Sequence, residues 1–111
     1  METKTAVAQL AALAQENRLA IFRLLVQAGP EGLSAGRIAE SLGLPNATLS
    51  FHLRTLSQAD LLSATQAGRF IRYAANFPAM NALIGFLGEN CCAGEACGLP
   101  ALNCCTKEEC S

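Results

Sequence analysis

A mainly α-helical domain carrying one small β-hairpin is the fold class predicted by these 111 residues, and three observations predict it. Apolar residues recur at helical spacing as far as Leu56. From Leu62 to Ala74 the period drops to about two. After Pro78 the helical period returns. At this length the chain is one small domain. It is 51% hydrophobic and 15% charged, which excludes disorder and leaves apolar surface for an oligomer to hide. No apolar run reaches the roughly 18 residues of a membrane span. Ala6 to Ala14 makes a poor secretory core, since Gln9 interrupts it and only Lys4 precedes it.

Each element can be justified in order. Thr5 to Gln15 is expected as a first helix with Ala6, Leu10, Leu13 and Ala14 on its apolar face. Asn17 is expected to cap a second, in which Ile21, Leu24, Leu25 and Ala28 fall at i, i+3, i+4 and i+7. Gly29-Pro30-Glu31-Gly32 ends it. Ser34 caps a short third helix that turns Ile38, Ala39 and Leu42 inward, and Gly43 permits a sharp turn. Asn46 then caps a fourth helix running to Leu56. Two helices joined through a short glycine-containing turn form a helix-turn-helix.

The fourth helix has two distinct faces. Leu49, Leu53 and Leu56 make a narrow stripe at i, i+4 and i+7, while Ala47, Phe51 and Arg54 lie opposite, with Ser50 on the flank. That front suits a DNA major groove, where arginine pairs with guanine, hydroxyls with either kind of edge and apolar groups with the thymine methyl. Thr48 joins Ala47, Ser50, Phe51 and Arg54 as a candidate base contact. His52 lies about 60° off the stripe and is read as a structural residue at the core boundary. Leu62–Gln66 and Arg69–Ala74 read as strands closed by Ala67-Gly68, a wing whose Arg69 and Arg72 can reach phosphates or a minor groove. In the last helix, from Pro78, Met80, Leu83, Ile84 and Leu87 form a stripe with Phe77 and Phe86 outside it. A helix apolar on several sides needs cover, which the first helix and a second subunit can supply.

Charge is divided along the chain. The whole carries −1, but residues 17–75 hold six arginines against Glu31, Glu40 and Asp60, a net +3. Residues 89–111 hold Lys107 against Glu89, Glu95, Glu108 and Glu109, a net −3. A basic middle can engage phosphates in a salt-dependent way.

The run LPNATLSFHLRTLSQADLL, with the wing AGRFIRYA, resembles the ArsR/SmtB family of dimeric winged-helix repressors over residues 6–90. Ser50, His52, Leu53 and Gly68-Arg69 carry the likeness. The resemblance implies a winged helix-turn-helix homodimer joined through its first and last helices, gripping operator DNA with two recognition helices. It also implies release on binding a metal or metalloid.

All six cysteines lie in the last 21 residues. A disulfide framework would spread them through the fold, whereas this crowding reads as thiol ligands in a cytoplasmic protein. Cys91-Cys92-x₄-Cys97 is repeated thirteen positions later as Cys104-Cys105-x₄-Cys110. Three thiolates suit trivalent arsenic or antimony. Structural zinc wants four ligands, which both triads together can offer, and copper(I) or cadmium also favours thiolates. Where arsenic-responsive relatives carry Cys-x-Cys, this chain has Ser34 and Gly36; where zinc sensors use Asp, His and Glu on the last helix, residues 78–90 have no Asp or His.

Asn-Cys-Cys with a further Cys after the last helix resembles an arsenite-sensing variety of the family. That likeness implies Cys91, Cys92 and Cys97 as the site, with Cys104, Cys105 and Cys110 a second or auxiliary one. The expected organisation is thus a DNA-binding and dimerisation domain over 1–90 and a metalloid-binding tail over 91–111, with As(III) or Sb(III) as inducer and no organic cofactor. Two alternatives stand beside it: a thiol-redox or other soft-metal sensor of the same fold, and a thiol-rich metal carrier without a DNA role. No convincing nucleophile–base pair, carboxylate dyad or phosphate loop points to an enzyme.

Overall fold

The computed structural model describes residues 1–89. Five helices and three strands follow in the order α1 (Thr3–Leu13), α2 (Glu16–Ala28), β1 (Leu33–Ser34), α3 (Ala35–Leu42), α4 (Asn46–Gln58), β2 (Leu62–Ala67), β3 (Phe70–Ala75) and α5 (Phe77–Leu87). The mainly α class holds, but the hairpin belongs to a three-stranded antiparallel sheet of order β1-β3-β2. β1 pairs Leu33 with Tyr73 and Ser34 with Arg72. Two residues are too few to show a strand period, so this edge could not be read from sequence.

Local chemistry sets most boundaries. Ser34 accepts a hydrogen bond from the Arg37 N–H and caps α3 as expected. Gly43, at φ +66°, ends it in the left-handed region, which costs glycine little. Two expected caps are displaced. Gln15, not Asn17, caps α2 by accepting from the Arg18 N–H at 2.9 Å. Pro45 takes the cap position of α4, so Asn46 is its first helical residue and makes no side-chain cap. The wing closes one residue later than expected. Ala67 pairs with Phe70, leaving Gly68-Arg69 as the turn with Gly68 at φ +65°.

The core gathers Ile21, Phe22 and Leu25 of α2, Ile38 of α3, and Leu49, Leu53 and Leu56 of α4, closed by Leu61, Leu62 and Ala75. The leucine stripe of α4 is buried as read. α1 is the clearest correction: it buries Ala6, Gln9 and Ala12, while Leu10 is exposed and Leu13 half-buried. Small residues allow α1 close approach to its neighbours, and its larger side chains turn outward. In α5 only Leu83 is buried, Met80 and Ile84 are half-buried, and Leu87 at the end of the stripe is 60% exposed in one subunit.

A polar bridge runs through this core. His52, 6% exposed, lies with Nδ1 3.5 Å from an Arg18 guanidinium nitrogen. The guanidinium only donates, so Nδ1 accepts and the ring proton sits on Nε2. Arg18 Nε also donates to the Ala12 carbonyl at 2.6 Å, which joins α1, α2 and α4. Burial and then the neighbouring Arg18 charge hold the His52 pKa below its ordinary 6.5.

Two predictions follow from these contacts. Gly32 has φ +70°, and a Cβ there would overlap the Tyr73 carbonyl at the β1–β3 pairing. Gly32→Ala should therefore lower stability by about 2 kcal/mol or more in urea titration. Because His52 binds its proton less readily folded than unfolded, its contribution is complete above pH 6.5 and is lost as pH falls through the folded value. Wild-type melting temperature should fall more steeply on acidification than that of His52→Gln. Parallel pH profiles would show that the Arg18–His52 contact does not set the dependence.

Candidate nucleic-acid interface

Burying Leu49, His52, Leu53 and Leu56 fixes which side of α4 meets solvent. Ala47, Ser50, Phe51 and Arg54 are exposed along the other side, and Thr48 is half-buried at its edge. The five expected base-facing residues therefore share one helix, with Thr48 the least accessible. Phe51 is 60% exposed, and its ring meets the His52 ring edge-on at 5.7 Å between centroids. Thr55 folds its hydroxyl back onto the Phe51 carbonyl at 3.1 Å, which takes it out of the outward set. Beside Arg54 a cavity of about 260 Å³ lies between α4 and the sheet, bounded by Ala35, Ser50, Ser57 and Tyr73.

The wing places its two arginines differently. Arg69 is exposed in the turn at the tip. Arg72 lies on β3 and donates to the Glu31 carbonyl at 3.2 Å. That bond orients the guanidinium without neutralising it, because a carbonyl carries no net charge.

Sequence reasoning missed the residues that tie α4 to the helices on either side. Gln9 of α1, 2% exposed, donates from Nε2 to the Ala59 carbonyl at 3.1 Å. Asn76 donates from Nδ2 to the Asp60 carbonyl at 2.8 Å, and its backbone N–H donates to Leu61 at 2.8 Å. The same side chain accepts from the Ala79 N–H and so caps α5. Asp60 itself stands at φ +62°, a backbone region costly for residues with a Cβ. The exit of α4 is thus hydrogen-bonded from both α1 and α5. Asn before Phe77-Pro78 was a legible cap signal; a lone glutamine among alanines gave none.

Between α2 and α5 an apolar cavity of about 440 Å³ is lined by Leu19, Phe22, Val26, Met80, Leu83 and Ile84 among others. The candidate ligands Cys91, Cys92, Cys97, Cys104, Cys105 and Cys110 lie outside the described residues. Among the described residues no group of three or more His, Cys, Asp or Glu side chains is arranged to hold a metal ion. Ser34 spends its side-chain oxygen on the α3 cap. No described helix is long and apolar enough to cross a membrane.

Comparison with known proteins agrees with this geometry. Residues 13–63 match a helix-turn-helix domain family. YceK, an uncharacterised HTH-type transcriptional regulator of Bacillus subtilis (strain 168), is 40% identical over 58 residues, which are 52% of this chain. The match spans only 57% of that relative's length. Among solved structures, an ArsR-like transcriptional regulator from Rhodococcus sp. RHA1 superposes with a TM-score of 0.68 at 28% identity, covering 76% of each chain. HlyU from Vibrio cholerae N16961 superposes with a TM-score of 0.65 at 30% identity, covering 83% of this chain and 99% of HlyU. Its helix-turn-helix and its wing thus give this chain a winged helix-turn-helix fold similar to that of ArsR-like transcriptional regulators.

Proposed function

We propose that this regulator is an arsenite- or antimonite-responsive repressor that binds operator DNA as a homodimer. In this reading Ala47, Thr48, Ser50, Phe51 and Arg54 meet base edges in the major groove, and Arg69 and Arg72 meet the backbone or a minor groove. A homodimer is supported by apolar surface that one subunit leaves uncovered. Val7, Leu10, Leu19 and Leu87 are exposed, and Leu19 also lines the groove between α2 and α5. Burying such side chains is worth about 1.5–3 kcal/mol each, the driving force a stable pair needs.

One observation carries the choice of trigger: α5 ends at Leu87, four positions before the first cysteine of the Cys91-Cys92-x₄-Cys97 triad. Three soft thiolates suit a three-coordinate metalloid, and binding releases their protons. Closing that triad would act on the end of α5. The other end of α5 is capped by Asn76, which holds the Asp60 carbonyl at the exit of α4. A shift of α5 would thereby change the pose of the recognition helix and weaken DNA binding. Coupling of this kind is commonly about 1–3 kcal/mol, or 5–150-fold in affinity. Cys104, Cys105 and Cys110 repeat the spacing and would form a second or auxiliary site. In this reading residues 91–111 work as a sensing tail on a domain of residues 1–90.

The test is titration of a labelled operator duplex by the full-length protein under strong reductant. Arsenite should weaken binding about 5–150-fold, and Cys92→Ser should bind DNA normally but resist release. Normal release of Cys92→Ser would reject the site. Release on oxidation alone would make the trigger a thiol–disulfide switch, and release by zinc or cadmium alone would make it a metal sensor.

A further inference from the structure

The root of the wing holds a cavity that the recognition helix does not explain. It measures about 420 Å³ and is lined by Gly32, Leu33, Ser34, Arg37, Ala67, Phe70 and Arg72. The register accounts for its make-up. Ser34 stands opposite Arg72, and Ala67 opposite Phe70, so these side chains share the outer face of the sheet, and Arg37 in the first turn of α3 closes the side. Arg37 and Arg72 thus line one space. Arg72 is oriented by the Glu31 carbonyl, and among the described residues neither arginine is paired with a carboxylate. Phe70, 66% exposed, forms an apolar wall of the same cavity.

The geometry points to a clasp for one phosphate of a nucleic-acid backbone, held between Arg37 and Arg72 with the adjoining sugar against Phe70. Two arginines lining one space favour an anion there, and a guanidinium's planar fork matches phosphate oxygens. The apolar wall suits a sugar-phosphate chain better than a free ion. Position supports this choice, because Ala67 and Phe70 of the lining flank the Gly68-Arg69 turn. The DNA-binding reading already sets Arg69 and Arg72 of this wing against the backbone. The clasp therefore extends the wing's contact toward α3, through Arg37. Arg37 becomes a DNA contact on a par with Arg72. This inference rests on the DNA-binding reading above, and it adds a backbone contact that carries no sequence preference.

The experiment compares salt dependence of binding to a random-sequence duplex for the full-length wild type, Arg37→Ala, Arg37→Lys and Arg23→Ala. Arg37 is exposed and only its backbone N–H serves the α3 cap, so alanine should leave the fold intact, which melting checks. Between about 50 and 200 mM salt, each lost phosphate contact lowers the slope of log K against log salt by about 0.9. Arg37→Ala should flatten the slope by about 2 in a dimer, one contact per subunit. Arg37→Lys should keep most of it, and Arg23→Ala, the same charge removed beside the α2–α5 groove, should not change it. An Arg37→Ala slope equal to wild type or to Arg23→Ala overturns the clasp while leaving the DNA-binding reading intact. Failure of the wild type to bind any duplex overturns both. Calorimetry with inorganic phosphate adds a further arm: stoichiometric binding lost in Arg37→Ala, with an unchanged DNA slope, would make this a small-anion site and reject the backbone assignment.

Discussion

Everything this molecule presents to a partner depends on how one helix is held down. α4 sinks Leu49, Leu53 and Leu56 into the core and seats His52 beside Arg18. Burial of three leucines contributes about 1.5–3 kcal/mol each, against a total stability of about 5–15 kcal/mol for a domain. The anchoring face is therefore a large share of what keeps the domain folded. Rotation of α4 about its axis would bury Arg54 or expose leucine, so the outward set of Ala47, Ser50, Phe51 and Arg54 follows from packing. The polar pair sharpens this: Arg18 reaches both the Ala12 carbonyl and His52, fixing azimuth where leucines alone would tolerate some slippage.

The same helix is held at its exit, and there the connection to the rest of the fold becomes mechanical. Gln9 and Asn76 grip consecutive carbonyls, Ala59 and Asp60, from the two helices that leave apolar surface uncovered. Asp60 keeps its left-handed backbone because those contacts and the Leu61–Asn76 bond over-determine it. Gln9 Oε1 is buried without a partner among the described residues, an uncommon deficit in a native core. The exit of α4 thus concentrates a left-handed backbone and an unmet acceptor at one point, held in place by the packing around it.

Much of this was legible in the sequence, for identifiable reasons. The stripe of α4, the Ser34 cap, the Gly43 turn and the wing each rest on local rules: helical period, side-chain capping, positive φ. Readings failed where tertiary packing chose between local options. In α1 the leucines marked an apolar face, yet the monomer prefers the smaller Ala6, Gln9 and Ala12 side because it permits close approach. Pro45 holds the cap of α4 with φ −62° and ψ 148°, which leaves Asn46 inside the first turn. β1 is too short for any period to show. Arg37 went unread because its role depends on a strand pairing that brings Arg72 alongside.

In the proposed dimer, two anchored recognition helices, one per subunit, enter neighbouring grooves of one duplex. The most direct measurement is a hydroxyl-radical footprint of the reduced full-length protein on the DNA upstream of its own gene. Two protected patches centred about one helical turn (~10–10.5 base pairs) apart, both weakened together by Arg54→Ala, are expected. A single short patch, or protection indifferent to Arg54→Ala, would contradict it.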